Sequence, residues 1–498
     1  MSFSKSSPKR TASTSSDEEL SFDLYYQLVY MMATASSGIS RNRVFALGSD
    51  LASVVADCVR DIETLVRTMH YDYPTACRIV GDRTSSRLLK SFLLRLSDAL
   101  DSGEPIRDFL TQEAHVQADS YENQYERDLE SLKKWTDAYA SLVVSQALII
   151  IISLISTMIY NVGAGMTAGL VLLAIMMSFF GVWVLSRAAP KEQLIIAPPE
   201  GSQQQIRYRK LSLLSLGAAT LVGLVSRFAG AGWPLTLTLL SLIMAPLGVL
   251  SFLCDRNLAK KEEEIGPFLR SLGNMATSTG TTLTEALKQL DLQSFPTLAA
   301  DIGLLRTRLN ARSDPQLSWR KFGQETGSDL IHRAARIFYD AISLGGDPDE
   351  IGAICAAFSS KVAMLRARRR IVASSFNWLT LLMHGALSAL MVLVLEIVLS
   401  FRSLIETIID PQQAQQAMQS IDIPLLRFNT GHMSMLSQIT IAMVLVLIAA
   451  NALAIVTTDG GFKPKFLLWS AIMMLLSAVS FGIVPAVVHS IMWRTISG

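Results

Sequence analysis

The chain has 498 residues, of which 50% are apolar, 17% charged and 8% aromatic, with a formal net charge of +2. That balance is too apolar for an ordinary soluble protein and too charged for one embedded wholly in lipid, so it points to membrane helices joined to polar modules. The four cysteines, Cys58, Cys77, Cys254 and Cys355, lack metal-type spacing, and reduced structural thiols are expected.

In chain order, residues 1–19 are rich in serine, with Lys5, Lys9 and Arg10 ahead of Asp17, Glu18 and Glu19. No apolar core follows the basic start, so no cleavable signal is expected and the segment reads as a disordered tail. Residues 20–140 read as a first helical module, with Leu88, Leu89, Phe92, Leu93 and Leu96 at helix spacing. Residues 141–254 hold four apolar segments, at 141–160, 164–186, 211–229 and 233–254, with a loop at 187–210. Tight turns are expected at 161–163 and at 230–232. Residues 255–376 read as a second helical module, with Leu330, Ile331, Ala334, Ala335 and Phe338 on one face and a helix-start signal at Thr281–Thr284 before Glu285. Residues 377–498 hold three further apolar segments, at 377–401, 435–457 and 466–490, with a loop at 402–434. Each of the seven segments is near the roughly 20 residues a bilayer demands. The expected fold is all-α: a polytopic membrane protein with about seven transmembrane helices and two helical-bundle modules.

Basic residues set the orientation. The 187–210 loop carries Arg187, Lys191, Arg207, Arg209 and Lys210, and the turn at 458–465 carries Lys463 and Lys465, whereas the 402–434 loop has only Arg402 and Arg427. Both modules and the N-terminus are therefore expected in the cytosol, with the 402–434 loop and the C-terminus outside the cell membrane.

The two modules look like copies of one unit. Met32–Gly38 resembles Met275–Gly280, Thr84–Leu89 resembles Thr326–Ile331, and Asp98-Ala99 matches Asp340-Ala341. The turn containing Gly103 and Pro105 resembles Gly345, Gly346, Asp347 and Pro348, and Trp135 matches Trp378, at an offset of about 243. Glycine and proline matches are informative because they mark turns rather than core filling. The copies differ in charge: residues 1–140 carry 16 Lys/Arg against 21 Asp/Glu, and residues 255–376 carry 17 against 14. Opposite signs suit docking of the modules on each other or on different partners; solvated faces are the bland alternative.

Residues for chemistry are absent. Gly-Lys occurs nowhere, which excludes a Walker loop, and the six histidines form no ligand pair. No catalytic residue, metal or cofactor is expected. Glu396 suits snorkelling better than a proton relay, and His384 and Asn451 suit hydrogen bonds between helices. Two charge runs remain. Lys260 and Lys261 precede three glutamates, and Arg366, Arg368, Arg369 and Arg370 precede the fifth apolar segment. They read either as anchors to anionic lipid or as an acceptor surface for an acidic partner; no aromatics interleave, so nucleic acid is not expected.

The repeated module, with its start at 275–287 and its Gly-acidic-Pro turn, resembles the type II secretion system F domain family. The seven-segment layout resembles the archaeal branch of that family, the archaellum assembly platforms. The resemblance implies a non-enzymatic membrane platform for an archaellum or related type IV pilus-like filament. It implies a cytosolic hexameric secretion ATPase, pilin-like or archaellin subunits and the lipid bilayer as partners, and a homo-oligomer, either a dimer or a small ring. It also makes Arg366, Arg368, Arg369, Arg370, Lys260, Lys261 and Glu285 docking candidates, with Gly103, Pro105, Gly280, Gly345, Gly346, Asp347 and Pro348 as structural turns. An adhesion-pilus platform and, from another class, a membrane transporter are the alternatives.

Overall fold

A computed structural model describes residues 17–160, 164–196, 201–408 and 433–496. Among them there is no strand, only an isolated bridge between Ile195 and Ser328, so the expected all-α class is found. The turn at 161–163 and most of the 402–434 loop lie outside the described residues. So does most of the tail, although Asp17–Glu19 already form the first turn of α1 and correct its expected end.

The first copy consists of α1 (Asp17–Ser36), α2 (Arg41–Ser49), α3 (Val54–Met69), α4 (Tyr73–Arg83), α5 (Arg87–Asp101) and the start of α6 (Ile106–Tyr160). Then come α7 (Ala164–Ala188), α8 (Gln203–Phe228) and α9 (Trp233–Thr279). The second copy continues through α10 (Leu283–Gln289), α11 (Ala299–Asn310), α12 (Pro315–Thr326), α13 (Asp329–Ser343) and the start of α14 (Pro348–Ile408). The chain ends with α15 (Met433–Asp459) and α16 (Phe466–Ile496). Seven of these helices, α6 to α9 and α14 to α16, are long and apolar enough to cross a membrane.

The repeat is written into the backbone, with a register of 242 rather than the 243 suggested by aligning the prolines. Helix starts pair at that spacing: Arg41 with Leu283, Tyr73 with Pro315, Arg87 with Asp329, and Ile106 with Pro348. The left-handed residues pair likewise: Gly38 with Gly280, His70 with Arg312, and Gly103 with Gly345. Positive φ is costly for a side chain such as His or Arg, so the same departure at the same place marks a shared turn. Asp72 and Asp314 follow these turns as matching N-caps, accepting from the backbone of Thr75 and Gln316.

The chain divides into two compact units. The polar unit comprises Met1–Asp128, Pro190–Ile206 and Asp255–Arg368, so it holds both copies of the repeat and part of the 187–210 loop. The apolar unit comprises Leu129–Ala189, Arg207–Cys254 and Arg369–Gly498. These boundaries fall inside α6, α9 and α14, whereas the sequence places module ends at 140, 254 and 376. In the apolar unit, α15 packs against α7 and α16. A buried polar chain ties its helices together: Tyr139 donates to Asn451 at 2.9 Å, Asn451 lies 3.4 Å from His384, and His384 lies 3.0 Å from Ser477.

Candidate functional site

Within the polar unit, α1 is the element that joins the copies. It is apolar on nearly every side, so it must be surrounded. Phe22, Tyr25 and Tyr26 pack on Phe358 of α14, and Tyr25 also stacks on Tyr121 of α6. On α13, Arg333 lies over the Phe22 and Tyr26 rings and pairs with Asp23 at 2.9 Å and Asp329 at 2.6 Å. Burial alone would lower the Arg333 pKa, but Asp329 and Asp23 more than offset it and hold it raised. Tyr30 donates to Asp340 at 2.9 Å, and Ser37 donates to the Ala341 carbonyl at 2.8 Å. Burial lifts the Asp340 carboxyl above its usual range, while Tyr30 and Arg336 pull the other way. Alongside, α6 and α14 are laced by ion pairs: Arg107 with Glu350 at 2.6 Å, Lys361 with Glu122, and Arg368 with Glu126.

The arginine run does not form one surface. Arg366 is 3% exposed, donating to Glu192 at 2.9 Å and to Glu262 at 2.6 Å. Arg369 is 4% exposed and donates to the carbonyls of Thr457 and Thr458. The expectation that these two contact a partner is therefore corrected, since burial leaves them nothing to present. Helix spacing carried the warning: Cys355, Ser359, Val362, Arg366, Arg369 and Ala373 recur at three or four residues and form one buried stripe. Arg368 is exposed and Arg370 partly so.

Of the other candidates, Lys260 is exposed, Lys261 is paired with Asp301 at 2.6 Å, and exposed Glu285 pairs with Lys288 at 2.9 Å. Gly103, Gly280 and Gly345 sit at positive φ, where glycine is the easy residue. Pro105 offers its carbonyl to Asp108 and Phe109 as α6 starts, whereas Asp347 caps α14 and accepts from Thr277 at 3.0 Å, with Pro348 as the first helical residue. Gly346 lets Ser37 approach: a Cβ there would lie 2.6 Å from the serine Oγ.

Glu262 and Glu192 are the residues that sequence reasoning missed. Glu262 accepts from both Arg366 and Ser328, the N-cap of α13, and so ties α9, α13 and α14 together. Glu192 attaches the 190–196 segment to the same arginine, next to the bridge between Ile195 and Ser328. Among the described residues no cluster of His, Cys, Asp and Glu could hold a metal ion.

Comparison places this architecture beside known proteins. Flagella accessory protein J of Methanocaldococcus jannaschii is 30% identical over 306 residues, which cover 58% of this chain. That match spans about half of the relative, 54% of its length. Flagella accessory protein J of Methanococcus voltae is 24% identical over 460 residues, covering 89% of this chain and 80% of that protein. No family model and no solved structure matches the chain. The chain is thus a multi-pass membrane protein, with seven helices among the described residues long and apolar enough to cross a bilayer, and it is similar along most of its length to the flagella accessory protein J of Methanococcus voltae.

Proposed function

We propose that this chain is the membrane platform for assembly of an archaellum or a related type IV pilus-like filament, a member of the type II secretion system F domain family. The observation that carries the reading is its similarity to two flagella accessory proteins, joined to a repeated helical module that leads into membrane helices. In this reading a cytosolic secretion ATPase docks on the polar unit and drives pilin-like subunits into the filament, with rotation added in an archaellum. With Arg366 and Arg369 buried, the exposed cations among the docking candidates of the polar unit are Arg368 and Lys260. Deleting the gene is expected to abolish surface filaments and swimming. The full chain carrying Lys260→Glu and Arg368→Glu is expected to bind the host's secretion ATPase about tenfold more weakly. Filaments of normal number in the deletant would sink the platform reading, and solute flux through proteoliposomes would favour a transporter. Unchanged ATPase affinity would assign those cations to lipid headgroups instead.

The same reading puts the N-terminus in the cytosol and the C-terminus outside. A cysteine at Ala300 is expected to resist an impermeant maleimide in whole cells, while one at Gln415 reacts. The opposite pattern would reverse the topology.

A further inference from the structure

The 190–196 segment, which follows α7, lies on the second copy within the polar unit. Asp329 N–H donates to the Leu194 carbonyl and Ile196 N–H to the Gly327 carbonyl, both at 3.4 Å, while Glu192 accepts from Arg366 at 2.9 Å. The turn it covers, Thr326, Gly327 and Ser328, is buried. The first copy supplies the comparison. At the matching turn, 242 residues earlier, Ser85 is exposed and Thr84 and Ser86 are partly so. Leu20 and Gln124 stand where the second copy has Glu262 and Arg366. The module therefore closes the same turn between the same two helices without a segment laid over it.

On its other side the segment meets α1 and α6. A cavity of about 10 Å³ there is lined by Phe22, Tyr121, Tyr125, Pro190 and Glu192. Tyr121 Oη, Glu192 Oε1 and Arg366 Nη2 are buried with no protein partner among the described residues, so the seat is incompletely satisfied. The polar unit ends at Asp128 in α6, Asp255 in α9 and Arg368 in α14. Through Arg366 and its partner Glu262, the segment is tied within about two turns of the points where these helices leave.

The three helices differ in how much they depend on it. α9 and α14 are close-packed without it: a Cβ on Gly266 would lie 2.9 Å from Ser359 Oγ, and Glu262 accepts from Arg366 at 2.6 Å. α6 is joined to α14 through Tyr25 of α1, which packs on both Tyr121 and Phe358. Beyond that level the α6–α14 link is the exposed pair of Arg368 with Glu126, which contributes little. The charge count also makes the segment separable. Its seat holds two carboxylates to one guanidinium. When Glu192 leaves, Arg366 keeps Glu262 and Glu262 keeps Ser328, so no buried charge is stranded.

We propose that residues 190–196 form a releasable strap. Docked, it fixes α6 against the α9–α14 pair where the helices leave the polar unit; released, it lets α6 shift while both copies stay folded. The strap lies on the stretch of chain between α7 and α8, the least buried of the seven candidate membrane spans, at 22% and 11%. A shift of either helix therefore reaches α6 through the strap. The proposal does not depend on what the chain assembles.

Paired spin labels test it in the full chain, reconstituted in lipid nanodiscs with Cys58 and Cys254 replaced by serine. Labels at Asn123→Cys on α6 and Asn257→Cys on α9, both exposed positions, are expected to give one narrow distance peak. Glu192→Gln with Ile196→Pro removes the strap's charge and one of its two backbone bonds, and should widen that peak about twofold. A control pair at Asn257→Cys and Met364→Cys, on α9 and α14, should not change. Hydrogen exchange of the unlabelled parent gives a second reading. The Ile196 and Asp329 amides should exchange about a hundredfold faster than those in the middle of α13, because the strap opens without the module. The proposal is overturned by a parent peak that is already broad, by no change in the strap variant, or by equal widening of the control pair. It is overturned too if the strap variant melts about 10 °C or more below the parent, or if Ile196 and Asp329 exchange as slowly as the middle of α13.

Discussion

Arg366→Ala is expected to lower the stability of the polar unit by about 3–5 kcal/mol, because it leaves the buried carboxylates Glu192 and Glu262 without their counter-charge. The side chains of Arg366, Glu192 and Glu262 are 3%, 6% and 4% exposed, so water cannot take over. The cost lies in stranding two charges, not in the strength of the pair, and this can be separated. Arg366→Met combined with Glu192→Gln and Glu262→Gln should recover much of the loss. Arg368→Ala, which breaks an exposed pair with Glu126, should cost less than about 1 kcal/mol. Denaturant unfolding of the purified chain, followed by tryptophan fluorescence, checks the ranking. Equal losses for Arg366→Ala and Arg368→Ala would remove the buried-charge argument.

Gly273→Ala should be comparably severe, at about 3 kcal/mol or more. The backbones of α9 and α14 cross at this residue: an added Cβ would lie 2.1 Å from the Pro348 carbonyl oxygen and 2.9 Å from its carbon. Neither atom is the movable end of a side chain, so one helix would have to shift. Gly303 of α11 is the contrasting case, since a Cβ there meets nothing within 4 Å. Gly303→Ala should therefore stabilise the chain by about 0.5–1 kcal/mol, through helix propensity alone. Opposite signs for one substitution at two helical glycines make the pair decisive in a single melting experiment.

What the sequence revealed follows from which physics is local. Seven apolar stretches and the repeated turns were legible because hydropathy and backbone conformation act over a few residues. The continuity of α9 past Cys254 was not, because the change from apolar to charged residues there drew a boundary between membrane segment and module, although Lys260, Lys261 and the three glutamates are good helix formers. The value of Glu192 was hidden for another reason. One acid among the basic residues of a loop gains meaning only when folding brings Arg366, 174 positions away, to meet it. The arginine run shows a third limit, since composition counts charges and only helical phase tells which of them faces inward.

The seam between α1 and α13 also has a consequence in time. Tyr30 and Asp340 are 310 positions apart, so α1 leaves the ribosome long before the surface that covers it exists. At about 5–20 residues per second, the wait is on the order of tens of seconds. Throughout that interval the first copy holds an apolar helix with one flank bare, and closure of that long loop comes late in folding. The newborn N-terminal half is thus the stage at which this chain is most exposed to proteases and aggregation, and a holdase that covers α1 would act there and nowhere later.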